Sequence, residues 1–285
     1  MITRHRTSTR VVLHTLGIVL AAMYVVPLAY ILLTAVTPTG EPIGRLPSRL
    51  AFDNFATALG SAQFGTFAVN SLIVSIAATL VQVVLACGAG YALAKLPLPG
   101  GKTILLLLVA LIVVPPEIVL VPLFLMMVHF PLLGGNDIVG AGGTGLLDML
   151  GGLMVPHLIS ALAIFLMRQF YLGLPDELGD AARVDGAGEL RIFIRIYTPL
   201  VLPAVTVVAV FAFQGAWNDF IWPLVMIRSP ERETLPLGLT GFFQENSTQW
   251  NLLMAVVLLI SVPVVALFLY IQRYFRSDVL SGAVK

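Results

Sequence analysis

The chain has 285 residues, of which 58% are hydrophobic and only 11% are charged, and its mean hydropathy is +0.96. Because a soluble domain carries roughly 25% charged residues, this composition excludes a soluble fold for most of the chain. The formal net charge of +1 argues against a nucleic-acid-binding protein, which would concentrate basic residues in one patch.

Long apolar segments predict helices that cross a lipid bilayer. A helix needs about 20 apolar residues to span the hydrocarbon core. Six segments meet this length, and they are 11–36, 66–94, 103–128, 148–168, 199–227 and 250–272. The sequence therefore predicts an all-α, polytopic membrane helix bundle with six transmembrane helices. Residues 1–10 precede it, and residues 11–285 are predicted to form a single transmembrane domain.

The distribution of basic residues predicts the orientation of this bundle. Lys and Arg collect on the cytoplasmic side of membrane proteins because they resist translocation. If the N-terminus is cytoplasmic, 12 of the 16 basic residues fall in cytoplasmic segments. The four in outside segments are Arg45, Arg49, Arg228 and Arg232. We therefore expect both termini to lie in the cytoplasm.

Motifs for catalysis, nucleotide binding and metal binding are weak. Gly101 and Lys102 resemble the end of a phosphate-binding loop, but Leu96 stands where that motif needs its first glycine. The four histidines lack metal-ligand spacing, and Cys87 is the only cysteine. We predict no catalytic residues, no metal site and no cofactor bound by this chain.

The most polar stretch lies between the fourth and fifth predicted spans, at about 169–198. Pro175, Asp176 and Glu177 predict a helix start, and Asp185 with Gly186 predicts a turn. A helix this short is marginally stable alone, so we expect it to dock against another protein. Small side chains on one face, with charges at the rim, give the candidate docking residues: Glu177, Asp180, Ala181, Ala182, Arg183, Asp185, Gly186 and Ala187.

The segment DAARVDGAGELRIFIRIYTP, residues 180–199, is similar to the EAA motif of ABC importer permeases. That motif reads E-A-A, three residues, glycine, nine residues and I-x-L-P. The residues at matching spacing are Asp180, Ala181, Ala182, Gly186, Ile196 and Pro199. Two positions depart from the motif, since Asp180 replaces the usual glutamate and Thr198 the usual leucine.

The resemblance extends over most of the chain and looks like the maltose-type branch of these permeases. Similar segments are DNFATAL at 53–59, NSLIVS at 70–75, IFLMRQFY at 164–171, WNDFIWPL at 217–224, TLPLGL at 234–239, QRYF at 272–275 and SGAVK at 281–285. The resemblance implies the type I ABC importer permease fold. A glycine-rich stretch near 139–147 looks like a short insertion, whose role the sequence does not indicate.

The resemblance also implies the partners and the location of the chain. We expect a second homologous permease subunit, two cytoplasmic ATPase subunits that carry ATP and Mg²⁺, an extracytoplasmic solute-binding protein and a sugar substrate. The docking helix would fit a groove of an ATPase subunit. Outside loops at about 37–65 and 228–249 are candidates for receiving the solute-binding protein. The expected location is a bacterial plasma membrane.

Polar residues within the predicted spans indicate a candidate substrate pathway, because they are costly in lipid and usually face the interior. Glu117 follows two prolines near the middle of the third span. It either lines the pathway or caps backbone amides that the prolines leave free. Near the end of the fifth span, Trp217 or Trp222 offers an aromatic face to a sugar, and Asn218 and Asp219 offer hydrogen-bonding groups. Alternatively they form an interfacial cluster at a helix break, and the partner permease holds the sugar.

Two other functions remain open at this point. An ion-driven secondary transporter would need inverted repeats or paired interrupted helices. A non-pumping membrane scaffold would need no docking helix. The sequence favours the permease over both, but it does not identify which sugar is carried.

Overall fold

The computed structural model describes residues 3–60, 63–242 and 249–275, and within them the regular structure is entirely helical. The α-helices in chain order are α1 (Thr3–Ala35), α2 (Asp53–Leu59), α3 (Phe64–Lys95), α4 (Gly101–Val113), α5 (Pro116–Val128), α6 (Leu150–Met154), α7 (Ala161–Leu172), α8 (Glu177–Val184), α9 (Glu189–Ile192), α10 (Thr198–Leu200), α11 (Leu202–Trp217), α12 (Ile221–Met226), α13 (Leu235–Gly238) and α14 (Trp250–Phe275). Short 3-10 turns occur at Val155–His157, Pro230–Arg232 and Leu239–Phe242. The predicted segment SGAVK and parts of both candidate outside loops lie outside the described residues.

Each predicted span contains helix, but within the described residues only three are single helices long and apolar enough to cross a bilayer. These three are Val12–Ala35, Phe64–Lys95 and Trp250–Gln272. Three bent helix pairs bring the number to six if each pair is one span: Gly101–Val113 with Pro116–Val128, Leu150–His157 with Ala161–Leu172, and Glu189–Leu200 with Leu202–Trp217. The described helices therefore support three to six spans.

The third predicted span, 103–128, is not one straight helix. Its two halves, α4 and α5, meet at 105°. Val114 and Pro115 at the break have extended backbone conformations. Proline lacks an amide hydrogen and clashes with the preceding turn, so Pro115 and Pro116 interrupt the backbone ladder. Glu117 consequently lies in the first turn of α5 and not in the middle of a continuous helix.

The fifth predicted span, 199–227, is also interrupted. Helix α11 ends at Trp217, and α12 begins only at Ile221. Between residues 193 and 197, just before α10, the backbone forms a π-helix. Irregular turns of this kind often mark functional positions in helices. The segment is thus a chain of short helices and not one uninterrupted span.

Residues 1–64 and 239–263 form one compact unit. Its described part is held by buried asparagines. The Asn54 side-chain amide donates hydrogen bonds to the carbonyls of Ala35 (2.8 Å) and Thr37 (2.9 Å), which fixes α2 beneath the end of α1. The Asn251 amide donates to Thr39 Oγ1 at 2.8 Å. The bond to Ala35 satisfies a carbonyl that the end of α1 leaves without a helical partner, and Thr37 lies just beyond that end.

Residues 65–238 and 264–285 form the second unit. Its main core contains side chains of α3, α7 and α11, together with Ile192 and Tyr197. Helices α3 and α7 approach closely at Gly90, where an added Cβ would lie 2.7 Å from Met167 Cβ and 2.9 Å from the Arg168 amide nitrogen. Only glycine permits this approach, as is common where membrane helices pack backbone to backbone.

The glycine-rich stretch is an ordered loop. We call residues 131–148 the glycine-rich loop. Its turns use glycines with positive φ, such as Gly134 and Gly140, and two side chains fix its shape. Asn136 donates to the carbonyls of Val128 and Phe130 and accepts from the Gly143 amide, while Asp137 accepts from the amides of Val139 and Ala141.

Candidate functional site

Helix α8 begins and ends where the sequence predicts. Its first residue is Glu177, directly after Pro175 and Asp176, and its eight residues make slightly more than two turns. Gly186 follows with φ +81°, a left-handed conformation that glycine adopts without strain. The Ala187 amide donates to the Ala182 carbonyl at 2.9 Å, which closes the helix end. The predicted helix start and the predicted turn are confirmed.

Helix α8 has a buried face and an exposed face. Gly179 and Ala182 are buried, and Ala182 belongs to the chain's own core. The prediction that Ala182 shares a docking face with Ala181 therefore needs correction, because Ala182 is 8% exposed and points inward. Ala181 and Val184 lie on the exposed face, and Val184 is 88% exposed. Ala187 is partly buried against the same core.

Tyr197 anchors the buried face. Its hydroxyl donates to the Pro175 carbonyl at 3.1 Å and accepts from the Gly179 amide at 3.2 Å. A Cβ added at Gly179 would lie 2.9 Å from that hydroxyl. The Gly179 amide thus has two acceptors at the start of α8, the Tyr197 hydroxyl and the Asp176 carbonyl at 2.9 Å. The glycine is required because the tyrosine comes so close.

Ion pairs and hydrogen bonds fix the two ends of α8. Arg183 donates to Glu189 Oε1 at 2.6 Å and to Asp180 Oδ1 at 2.8 Å, and Tyr91 donates to Glu189 Oε2 at 3.0 Å. Lys95 donates to Asp176 and to the Leu174 carbonyl. The hydrogen bond to Glu189 raises the pKa of Arg183, and burial opposes this shift without cancelling it. The predicted docking residues Asp180 and Arg183 are thus paired within the chain.

An aromatic cluster lies beneath these pairs. The Tyr91 ring lies 5.6 Å from Tyr171, 5.0 Å from Phe193 and 5.6 Å from Tyr197, measured between centroids. Lys95 Nζ lies 5.3 Å from the Tyr197 centroid. Aromatic pairs and cation–π contacts add to the energy of burial. We call residues 174–197, which include α8, α9 and the π-helix, the α8 platform.

A second feature is an open cleft of about 540 Å³ between α5, the 155–157 turn and the α11–α12 junction. This volume lies within the range of small-molecule sites. We call it the polar cleft. Its lining residues are Pro116, Glu117, Val119, Leu120, Leu123, Pro156, His157, Gly215, Asp219, Ile221 and Trp222. His157 and Gly215 also line an adjoining cleft of about 400 Å³, to which Gln82 contributes.

A hydrogen bond between His157 and Asp219 defines the polar side of the cleft. His157 Nε2 lies 2.9 Å from Asp219 Oδ2, and both side chains are largely buried. Asp219 Oδ1 accepts from the Trp222 amide at 3.2 Å, and the Trp222 indole donates to the Gly152 carbonyl at 2.9 Å. Asp219 therefore caps α12 and orients the imidazole at once.

The structure brings together two of the four predicted pathway residues. Glu117 and Asp219 line the polar cleft. Trp217 is 1% exposed and stacks on Phe213, with centroids 5.4 Å apart, so it lies in the core. Asn218 is exposed at the end of α11 and lines neither cleft. The predicted grouping of Trp217 and Asn218 with Asp219 is therefore corrected.

Sequence reasoning missed His157 as a cleft residue, and of its two candidate tryptophans Trp222, not Trp217, lines the cleft. The available signal was the isolated pair Pro156–His157 in an otherwise apolar segment. Proline interrupts a membrane helix, and a polar residue beside it usually faces the interior. The tertiary partner Asp219 lies 62 positions away, so the spacing along the chain gave no hint of the pair.

Residues 228–233 form an ordered turn beside α6. Asp148 accepts hydrogen bonds from the amides of Arg228 and Ser229, both at 3.0 Å, and from the Ser229 hydroxyl at 2.6 Å. The Asn70 side chain donates to the carbonyls of Glu231 and Glu233. Part of the candidate outside loop at 228–249 is thus held in one conformation.

Comparison with known proteins connects these features to a family. Residues 86–281 match the family described as binding-protein-dependent transport system inner membrane component. The chain is 32% identical over 285 residues to the arabinooligosaccharides transport system permease protein AraQ of Bacillus subtilis, covering 97% of this chain and 96% of AraQ. It is 29% identical to the melibiose/raffinose/stachyose import permease protein MelC of the same organism, covering 98% of each chain.

Solved structures show a similar fold. A bacterial ABC transporter involved in the import of the acidic polysaccharide alginate has a chain that superposes with a TM-score of 0.80 at 21% identity, covering 96% of this chain and 99% of that one. A second, in complex with an alginate pentasaccharide-bound periplasmic protein, gives a TM-score of 0.66 at 14% identity, covering 95% and 94%. The family match covers more than half of the sequence and includes the whole α8 platform. The chain therefore belongs to the family of binding-protein-dependent transport system inner membrane components.

Proposed function

We propose that this chain is a permease subunit of an ATP-driven, binding-protein-dependent carbohydrate importer. The observation that carries the proposal is the α8 platform, a short helix braced by its own chain on one face and exposed on the other. The names of relatives that align over nearly the whole chain, such as AraQ and MelC, support an oligosaccharide as the substrate class.

The proposal includes an orientation and a location. Both termini and the α8 platform face the cytoplasm of a bacterial cell, and six spans cross its plasma membrane. The support is the excess of basic residues in the segments on one side, 12 of 16, together with the family description as an inner membrane component.

The partners follow from this role. A second permease completes the translocation pathway, and two cytoplasmic ATPase subunits bind ATP and Mg²⁺, so this chain is not itself an enzyme. A solute-binding protein docks outside, where the turn at 228–233 and the segment at 37–60 are candidates. This last partner is supported by the structural neighbour that was solved in complex with an alginate pentasaccharide-bound periplasmic protein.

The mechanism is a rigid connection between ATPase and membrane. Closure of the two ATPases displaces α8, and Arg183, Glu189 and Tyr91 carry the displacement to α9 and α3. The π-helix at 193–197 then leads through α10 into α11, whose last turn borders the polar cleft. Such a connection can bias inward-open against outward-open states.

The ion-driven alternative has less support. Intramembrane acids are typical of proton and sodium pathways, and Glu117 and Asp219 are such acids. However, that mechanism gives no reason for a braced helix with an exposed apolar side chain such as Val184. A non-pumping scaffold likewise needs no such helix.

A pair of matched substitutions tests the proposal. Val184 on α8 is 88% exposed, and Val139 on the glycine-rich loop is 85% exposed. Val184→Asp places a charge in the proposed ATPase interface, so we expect loss of ATPase subunits from the purified complex and loss of ATP-dependent uptake into proteoliposomes. Val139→Asp makes the same chemical change and should leave ATPase assembly intact.

These variants test docking without disturbing the fold, because neither side chain is packed. A substitution at Gly186 is less informative, since its φ of +81° would strain any side chain. Unchanged assembly and uptake in the Val184→Asp complex would overturn the proposed docking role. An uptake driven by an ion gradient without ATP would favour the secondary transporter instead.

A further inference from the structure

We propose that the polar cleft is a carbohydrate-binding subsite that selects donor-rich, uncharged or amino-substituted sugars and rejects uronic acids. This inference rests on the proposed function and adds a substrate class to it. It concerns the residues of this chain that line the cleft: Glu117, His157, Asp219, Gly215 and Trp222.

The first argument is that the cleft presents hydrogen-bond acceptors. Glu117 is exposed and lines the cleft, so both oxygens of its carboxylate can accept from a ligand. The Asp219 carboxylate is an acceptor, so the hydrogen between it and His157 belongs to Nε2. The indole N–H of Trp222 is already used by the Gly152 carbonyl.

The second argument is the charge of the lining. Neither of the two adjoining clefts has a Lys or Arg among the described residues that line it. Glu117 and Asp219 both carry negative charge when ionised. Burial of an anion beside like charges costs free energy because the local dielectric is low. A sugar carboxylate would find no lysine or arginine here to offset that cost, and the one imidazole, His157, is already bonded to Asp219.

Together these features specify the ligand. Hydroxyl and ammonium groups donate hydrogen bonds to Glu117 and to the His157–Asp219 pair, whereas a uronate adds acceptors that have no donors. A site built from acceptors strongly rejects a ligand that leaves those acceptors unpaired. An apolar site discriminates less strongly between ligands that differ only in size. Trp222 and Pro116 contribute apolar surface at the same cleft, against which the C–H face of a sugar ring can pack.

A structural role for the pair does not account for the whole cleft. Asp219 would cap α12 without any ligand, and His157 would satisfy Asp219. That reading explains neither why Glu117 lines the same cleft nor the open space at Gly215, where an added Cβ would meet no atom within 4 Å. Both features are expected of a site that holds a hydroxylated ligand.

The experiment measures ligand protection of a thiol placed in the cleft. The complex with its partner subunits, without the solute-binding protein, carries Cys87→Ala, which removes the only native cysteine, and Gly215→Cys, which adds a thiol to the lining. The rate of alkylation by a maleimide is measured with raffinose, the disaccharide of glucosamine, or digalacturonic acid. Val139→Cys in the same background is the control, since Val139 lies outside the cleft.

We expect raffinose and the glucosamine disaccharide to slow alkylation several-fold and digalacturonic acid to leave it unchanged. In the Glu117→Gln, Asp219→Asn double variant, which keeps the side-chain shapes but adds donors and removes both charges, digalacturonic acid should begin to protect. The control thiol should react at the same rate with every sugar.

ATP-dependent uptake of the same sugars into proteoliposomes, with the solute-binding protein restored, separates the two proposals. Equal protection by digalacturonic acid and raffinose overturns the inference, as does the absence of protection by a sugar that the complex transports. If no sugar is transported in an ATP-dependent way, the proposed function fails, and the subsite proposal fails with it.

Discussion

The α8 platform and the glycine-rich loop are both ordered polar segments, but they are held in different ways. In the glycine-rich loop, Asn136 and Asp137 bond to backbone groups within about ten residues. In the platform, Tyr91 and Lys95 reach residues about 80 to 100 positions away. The loop therefore keeps its shape by itself, whereas the platform keeps its position relative to α3.

This difference determines whether each segment can transmit a displacement to the rest of the helix bundle. A displacement of α8 must move Glu189, Tyr91 and α3 or break their bonds, so the platform can carry force into the bundle. Among the described residues of the glycine-rich loop, the ties to distant parts of the chain lie at its end, where Leu146 packs with Val74 and Met226 and Asp148 bonds to Met226 and to 228–232. Four substitutions test this contrast, in decreasing order of expected effect.

The largest effect is expected at Gly90, the position on α3 where this helix packs closely against α7. Gly90→Ala would press a methyl group against Met167 Cβ and the Arg168 backbone, at 2.7 and 2.9 Å. Because the clash involves backbone, we expect destabilisation of about 1–3 kcal/mol or more, measured as a lower unfolding temperature of the purified complex. Gly88→Ala is the control, since its Cβ would meet no atom within 4 Å. Equal unfolding temperatures for the two variants would contradict the close approach.

The next effect concerns coupling. Glu189→Gln keeps the size of the side chain but removes the charge that pairs with Arg183 and links α8 to Tyr91. We expect retained ATPase assembly with a several-fold loss of uptake per ATP hydrolysed. Asp180→Asn should have a smaller effect, because the exposed Asp180–Arg183 pair lies within α8. If both variants lower coupling equally, the link through Glu189 is not the one that transmits force.

A smaller loss of stability is expected at Tyr197. Tyr197→Phe removes the hydroxyl that donates to the Pro175 carbonyl and accepts from the Gly179 amide. That amide keeps its 2.9 Å bond to the Asp176 carbonyl, so we expect a loss of about 1 kcal/mol, the net contribution of an ordinary hydrogen bond. Tyr171→Phe is the matched control, because that hydroxyl makes a long 3.4 Å contact with Thr198 and a weak hydrogen bond with the Cys87 thiol. Thermal unfolding of both variants measures the difference, and a larger loss at Tyr171 would contradict this account.

The smallest effect is local to the glycine-rich loop. The hydrogen bond from the Ala141 amide is the main cause that lowers the pKa of Asp137. Burial raises this pKa, and a hydrogen bond from the Val139 amide lowers it further, so the net effect is a lowered pKa. A depressed folded-state pKa means that the stabilisation is present above the ordinary carboxyl pKa of about 4 and is lost as the pH falls through the folded value. Hydrogen exchange of peptides from 131–146, corrected for intrinsic rates, should therefore rise below about pH 4.

Asp137→Asn should raise that exchange already at neutral pH and remove its dependence on pH, while uptake and ATPase coupling stay unchanged. A loss of coupling in this variant would contradict the view that the loop is held locally. Exchange that is independent of pH in the native chain would contradict the role of the Asp137 charge.

Much of the fold follows from the sequence. Apolar length predicts the helices, because lipid gives backbone groups no other hydrogen-bond partner. Pro175, Glu177 and Gly186 predict the bounds of α8, since these residues act within one turn of the chain. The bends were harder to predict: Pro115 and Pro116 indicate a break, but its angle of 105° depends on how α4 and α5 pack.

The candidate sites divide in the same way. Glu117 and Asp219 could be predicted as cleft residues because charge in an apolar segment is costly and so faces the interior. Trp217 was misplaced, since an aromatic side chain serves a core as well as a ligand and only the rotation of α11 decides between them. Ala182 was misplaced for the same reason, because one residue is about 100° of helix rotation.

The sequence by itself determined a helical membrane protein, its six apolar segments and the position of α8, because these depend on hydrophobicity and on bonds between near neighbours. Only the tertiary structure decided that α8 is braced by Tyr91, Lys95 and Tyr197, and that His157 meets Asp219 across the cleft. Those contacts join residues 18 to 98 positions apart, and their formation depends on how the helices pack.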